Sequence, residues 1–228
     1  MSNVVIVGAS RGIGLALVHS YVDSGDTVYA MCRDPKSAEK LIALQASRPD
    51  AVRVMQLDVL DESSLQRVVA ELGDTPVDIL VNVAGIFQSE AGPQDNDFSH
   101  WRESFEAMAI APFRTVLAFL PALEKAKGKV MSVSSQIGAT TWPYGGMYSY
   151  AAAKAALNRT MIALALDVKD RGVSVGLVHP GYVQTDMGGP NADISPKESA
   201  EGIHAVISRL NLENSGGFWK WNGDVHPW

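Results

Sequence analysis

Val4-Val5-Ile6-Val7-Gly8-Ala9-Ser10-Arg11-Gly12-Ile13-Gly14 decides how this chain folds. Its first four residues are a continuous β-branched run, the pattern of a strand buried on both faces. A helical pattern follows, to about Ser24. Between the two stand three glycines in GxxxGxG spacing. Gly8 suits the tight turn, Gly12 lets backbone approach a pyrophosphate, and Gly14 permits close packing of helix on strand. The helix N-terminus, with Ser10, Arg11 and Ile13 in the same loop, then offers free N–H groups and a positive dipole end to phosphates. A glycine triplet alone is a weak signal and also fits a plain turn. Its place between a buried strand and a helix makes it a dinucleotide-binding turn.

Outward from this turn, apolar runs alternate with helical segments. Further strands are expected at residues 27–32, 52–57, 77–81, 129–133 and 173–178, with a short edge strand at 217–221. Helices are expected at 35–46, after Asp61-Glu62-Ser63, at 98–125, at 147–170 and at 196–210. This alternation predicts an α/β fold: one doubly wound, Rossmann-type parallel sheet of about seven strands with helices on both faces. With 228 residues, no repeat and no low-complexity segment, residues 1–228 read as a single domain.

Composition excludes other classes of function. The net charge of −6 argues against nucleic acid as a partner. Cys32 is the only cysteine, so no internal disulfide can form, and a reducing compartment fits. The first strand begins at once, without a signal-peptide pattern, and no apolar run reaches the length of a membrane span. These points predict a cytoplasmic protein with no membrane partner. Five histidines show no HExxH or paired spacing, so no metal is expected. Ser10 lies outside any GxSxG elbow, so a hydrolase reading fails.

The charge beyond the second strand discriminates between nucleotides. A carboxylate there favours NAD(H), whereas cations favour the 2′-phosphate of NADP(H). The strand ends Cys32-Arg33, and Arg11 lies in the glycine loop, so two guanidiniums can clamp one phosphate. NADP(H) is therefore expected over NAD(H), although Asp34 opposes it and the two arginines also fit a solvated surface.

Tyr150-Ala151-Ala152-Ala153-Lys154 places a phenol and an ammonium on one helix face. A phenol titrates near about 10, and lowering it by roughly three units needs about 4 kcal/mol of favourable interaction with the phenolate. A nearby ammonium and a nicotinamide cation can supply that, letting Tyr150 protonate a carbonyl oxygen that receives hydride. Ser134-Ser135 ends the fifth strand, at the sheet edge where open α/β folds bind ligands. Alone, a YxxxK pair also fits an ordinary surface contact.

Gly8–Gly14, Asp58-Val59, Asn82-Val83-Ala84-Gly85, Ser134-Ser135, Tyr150–Lys154 and Pro180-Gly181 occur in this order along nearly the whole chain. On these motifs the sequence resembles the short-chain dehydrogenase/reductase family. The segment from His179 to Gly189 and the ending from Gly216 to Trp228 resemble its C-factor/sniffer-like carbonyl reductase subgroup. The resemblance implies reduction of a small-molecule carbonyl, or oxidation of an alcohol. Tyr150 would be the acid/base, Lys154 would bind the nicotinamide ribose and lower the phenol, and Ser135, rather than Ser134, would orient substrate. Asp58 would bind the adenine amine with Val59 beside it; Asn82, Ala84 and Gly85 would line the cofactor cleft. Pro180, Gly181 and Val183 would flank the nicotinamide, and Thr185 would bind its carboxamide or the phosphates. The family often dimerises through the two long helices; a homodimer is implied, with a monomer the alternative.

This chain departs from the family at Met108, where a water-holding asparagine is usual, and in a slightly longer Ser135–Tyr150 separation. Methionine is a poor hydrogen-bonding group. A second reading follows: a weak or inactive NADP(H)-binding sensor. Trp142, Tyr144, Met147, Tyr182 and Met187 fit either substrate-pocket lining or ordinary packing, and Gly188-Gly189-Pro190 fits a lid.

Overall fold

Strand β1 (Asn3–Val7) lies inside the sheet, third of seven strands, in this computed structural model, which describes residues 1–88, 92, 94 and 98–228. Around it are β2 (Thr27–Cys32), β3 (Val52–Gln56), β4 (Ile79–Asn82), β5 (Lys129–Val133), β6 (Ser174–His179) and β7 (Phe218–Lys220). Their order is β3-β2-β1-β4-β5-β6-β7, and every pairing is parallel. This is a seven-stranded Rossmann-type α/β fold. The winding reverses between β1 and β4, which opens a crevice at the carboxyl ends of those strands.

The period of two along β1 sorts its side chains between two cores. Val4 and Ile6 pack on one face with Leu17, Val18 and Tyr21 of α1 (Gly12–Asp23), Leu41 of α2 (Glu39–Ser47), and Ile203 and Val206 of α7 (Pro196–Arg209). Val5 and Val7 pack on the other face. There they meet Leu65 and Val68 of α3 (Glu62–Leu72), Phe119 and Leu123 of α5 (Ala111–Ala126), and Leu157 and Met161 of α6 (Tyr148–Asp167). Each such apolar side chain, fully buried, stabilises the fold by about 1.5–3 kcal/mol.

Local chemistry sets the helix starts. Asp61 caps α3 by accepting from Ser63 N–H, and Ser195 and Glu198 form a reciprocal capping box on α7. The helix expected at 35–46 is divided: a 3₁₀ turn, Pro35–Ser37, precedes α2. β4 begins two residues later than the apolar run suggests, because Val77 N–H goes to Ala122 O instead of a neighbouring strand.

The long helix expected at 98–125 is continuous but not uniform. α4 (Ser99–Phe105) passes through a π-helical turn, Glu106–Ile110, into α5. In this turn Ala111 N–H donates to Glu106 O, five residues back, and Pro112, next in the chain, has no N–H to give the Met108 carbonyl. By length and composition Ser99–Ala126 is apolar enough to cross a membrane, contrary to the expectation from sequence. Its apolar face is instead covered by protein, with Val116, Phe119 and Leu123 fully buried in the core.

Candidate active site

The β1–α1 turn is built from close backbone contacts. Gly8 has φ +92, and a Cβ there would lie 2.7 Å from Ala84 N. A Cβ on Gly14 would overlap the Gly8 carbonyl oxygen. Gly8 and Ala9 N–H both donate to Met31 O, and Val83 and Ala84 N–H both donate to Val7 O. The turn is thereby fixed across β2, β1 and β4 at the topological switch. Helix α1 starts with no side-chain cap and no acidic residue in its first turn, which leaves its free N–H groups to an anion. Gly12, at φ +54, faces Thr185, whose methyl would stand 3.1 Å from a Cβ at that position.

The two arginines stand in different surroundings. Arg33 lies exposed just past β2. Arg11 pairs with Asp186 at 2.5 Å, and both side chains are largely exposed. Asp34, the carboxylate that seemed to oppose a 2′-phosphate, accepts from Lys36 N–H and caps its own turn. Asp58 is engaged locally: Oδ1 accepts from Leu60 N–H, and its own N–H donates to Ser64 Oγ. Val59 packs against the core beside it. Asn82 is buried, and its Nδ2 donates to Ser132 Oγ at 3.3 Å, so its carboxamide braces β5.

Helix α6 carries Tyr150 and Lys154 on one face, and the β5 end brings Ser135 to them. Ser135 Oγ accepts from Ile137 N–H at 3.2 Å, which leaves its own proton to donate; the Ser135 side chain hydrogen-bonds Tyr150. Ser134 points the other way and donates to Asn158 Oδ1 at 2.5 Å. Lys154 is buried, and its Nζ donates to Val133 O at 2.8 Å. Burial alone brings its ammonium down to about 8. For Tyr150, burial raises the phenol and the Ser135 hydrogen bond opposes that rise. The lowering expected from Lys154 is therefore not what these side chains produce by themselves. The Lys154 ammonium stands 5.8 Å from the ring centroid, and burial sets the direction.

Met108 lies in the π turn, fully buried against Ala153, Tyr150 and Ile86. A Cβ on Gly85 would stand 3.6 Å from Met108 Sδ and 3.9 Å from Lys154 Nζ, so thioether, glycine and ammonium border one space. Phe87 meets Tyr150 edge-on at 5.6 Å and is half-exposed. Trp142 and Tyr144 pack edge-to-face at 5.1 Å, while Tyr144, Tyr182 and Met187 are exposed. Pro180 O accepts from Ser199 Oγ, Gly181 takes φ +88 against Ile194 and Trp221, and Val183 is buried. Thr185 Oγ1 donates to Val183 O and accepts from Gly188 N–H. Among the described residues, no group of three or more His, Cys, Asp or Glu is placed to hold a metal ion.

Several supporting residues escaped the sequence reading. Asn158 stands four residues after Lys154 on the same face, so helix periodicity could have found it. Gly138 could not be found so: a Cβ there would lie 2.7 Å from Lys154 Cβ and 2.8 Å from its carbonyl carbon. His179, buried at the end of β6, accepts from Gln136 N–H through Nδ1. Burial, then His226, then Lys220 push it down to about 4.

A protein-family model described as short chain dehydrogenase matches residues 2–194. The chain is 38% identical over 155 residues to C-signal of Myxococcus xanthus, spanning 67% of this chain and 93% of that protein. The structure of NADPH-bound carbonyl reductase from chicken fatty liver is similar at TM-score 0.93 and 31% identity, covering 100% of this chain and 99% of that one. Carbonyl reductase Sniffer of D. melanogaster is similar at TM-score 0.95 and 26% identity, covering 100% of both chains.

Proposed function

The chain belongs to the short chain dehydrogenase family of oxidoreductases, and from that premise we propose that it is an NADP(H)-dependent carbonyl reductase with a Ser135-Tyr150-Lys154 site. The observation that carries this reading is the meeting of those three side chains at the crevice edge: Ser135 bonded to Tyr150, with Lys154 one helical turn on. The NADPH-bound state of the similar chicken reductase supports the choice of nucleotide.

The residues present fit such a cofactor. The Gly8–Gly14 cradle and the uncapped α1 suit a pyrophosphate held by Ser10, Gly12 and Ile13, and exposed Arg33 with Arg11 suits a 2′-phosphate. Asp58 and Val59 would border the adenine. Asn82, Ala84, Gly85 and Lys154 would border the ribose side, with Pro180, Gly181, Val183 and Thr185 at the nicotinamide. When bound, NADPH supplies the hydride. Ser135 donates to the carbonyl oxygen and orients it. Tyr150 gives its proton to that oxygen as negative charge develops there. Lys154 holds a positive charge that favours the phenolate left behind, and Phe87 shields the phenol from water. One catalytic unit spanning residues 1–228, working in the cytoplasm, completes the proposal. So does a homodimer through α5 and α6, whose Leu117 and Leu166 are exposed. Light scattering of purified protein tests the dimer.

Tyr150→Phe tests the chemistry. Turnover of a carbonyl panel should fall by at least about 100-fold while NADPH still binds; unchanged turnover removes Tyr150 from the reaction. A second reading, a nucleotide-binding sensor, is favoured by one observation: apolar Met108 borders Lys154 where a polar group would hold water. Tight NADPH binding with no turnover on any carbonyl supports it. Turnover gained in Met108→Asn identifies the thioether as the cause.

A further inference from the structure

We propose that Asp186 and Arg11 form a latch between the 182–194 segment and the glycine turn, and that a 2′-phosphate releases it by taking Arg11 from Asp186. This inference rests on the NADP(H) reading above and assigns Asp186 a role in that specificity.

The segment behaves as one body. Gln184 N–H donates to Ile194 O, Ile194 N–H to Tyr182 O, and Gln184 Nε2 to Ala192 O. Gly189 N–H donates to Thr185 O, and a Cβ on Gly188 would overlap the Val183 carbonyl oxygen. Its roots are firm: Gly181 turns at φ +88 against Trp221, and Ser195 starts α7 with a capping box. Towards the cofactor side, two contacts tie it down. Arg11 Nη1 donates to Asp186 Oδ2 at 2.5 Å, and the Thr185 methyl faces Gly12.

Chemistry makes the ion pair exchangeable. Both side chains are more than 70% exposed, so the pair is screened and weak. A phosphate dianion carries more charge than a carboxylate and offers a guanidinium the same forked geometry. Arg11 sits at the start of α1, whose first turn has no acidic side chain, so the Asp186 carboxylate is the anion this helix end now holds through Arg11. The 5′-phosphate common to both nucleotides goes to the free N–H groups of α1, so only a 2′-phosphate competes with Asp186 for Arg11. The 2′-phosphate of NADP(H) would therefore undo the Arg11–Asp186 tie, and NAD(H) would leave it in place.

The test measures affinity for adenosine 2′,5′-bisphosphate and adenosine 5′-monophosphate, with hydrogen exchange at residues 182–194, in full-length protein. Asp186→Asn should tighten the bisphosphate about three-fold and leave the monophosphate unchanged, the scale of one exposed pair. In the wild type the bisphosphate should speed exchange across 182–194 and the monophosphate should not; in Asp186→Asn, exchange should be fast without ligand. Equal bisphosphate affinity in the two proteins, or exchange indifferent to the bisphosphate, overturns the latch. Arg33→Ser separates the two ideas, since Arg33 lies outside the pair. If it weakens the bisphosphate about ten-fold while Asp186→Asn changes nothing, the latch alone fails. If neither Arg33→Ser nor Arg11→Gln weakens the bisphosphate, the 2′-phosphate reading fails and the latch with it.

Discussion

Lys154 Nζ stands 5.8 Å from the centre of the Tyr150 ring and donates to Val133 O at 2.8 Å. One helical turn separates the two residues, yet the ammonium is anchored to β5 and not to the phenol. The strand end therefore positions the cation that α6 carries, and Ser135, two residues beyond Val133, completes the same corner. Burial makes that corner both responsive and unstable.

Lys154 carries a desolvation penalty. Its folded value of about 8 lies below the ordinary lysine value of about 10.4, so folding opposes its charge by about 3 kcal/mol below pH 8. That penalty fades as pH rises from about 8, where the folded lysine loses its proton, to about 10.4, where the unfolded chain does. Lys154→Met should thus be more stable than the wild type at pH 7 by about 1–2 kcal/mol, after allowing for the lost bond to Val133. Activity should collapse. Thermal melts at pH 7 and pH 10.5 check it; the gain must shrink at the higher pH.

His179 predicts the opposite limb. Above pH 6.5 it is neutral in both states, and its Nδ1 accepts from Gln136 N–H. As pH falls towards 4 the unfolded chain takes the proton first, and stability should decline by up to about 3 kcal/mol. Protonation also removes the acceptor that holds Gln136, next to Ser135. Acid titration followed by circular dichroism should show a shallower decline in His179→Gln; an identical curve rules His179 out as its source.

The adjacent serines should separate cleanly. Ser135→Ala removes the hydroxyl bonded to Tyr150 and should lower kcat by about 100-fold, while the lost cap on Ile137 N–H costs only about 0.5–2 kcal/mol of stability. Ser134→Ala leaves buried Asn158 Oδ1 without its donor, Nδ2 still reaching Gly138 O, and should cost about 1–3 kcal/mol of stability, with kcat within a few-fold. Steady-state kinetics beside melts would expose a reversed pattern.

Gly138→Ala places a methyl against the Lys154 backbone, which cannot yield as a flexible side-chain tip would. Overpacking should cost about 1–3 kcal/mol. The displaced 136–138 turn should carry Ser135 away from Tyr150, so kcat should fall at least about 10-fold while NADPH affinity holds. Loss of nucleotide affinity with kcat intact would place Gly138 at the wrong end of the crevice.

Much of this architecture was readable residue by residue. Asn3–Val7 and Thr27–Cys32 are strands with the expected ends, because an apolar run stopped by glycine or charge has one way to be buried on both faces. The YxxxK spacing placed Tyr150 and Lys154 on one face through helix geometry alone. Local rules were less sufficient at residues 106–110, where the helix widens into a π turn.

What the sequence by itself determined was the parallel sheet, the glycine turn after its first strand and the pairing of phenol with ammonium, since strand runs and helix periodicity are short-range properties. Only the tertiary structure decided that Ser134 turns to Asn158, that Gly138 and His179 hold the Ser135 loop in place, and that Arg11 spends its charge on Asp186. Those outcomes depend on where distant strand ends converge and how much water the convergence excludes. No spacing along the chain encodes either quantity.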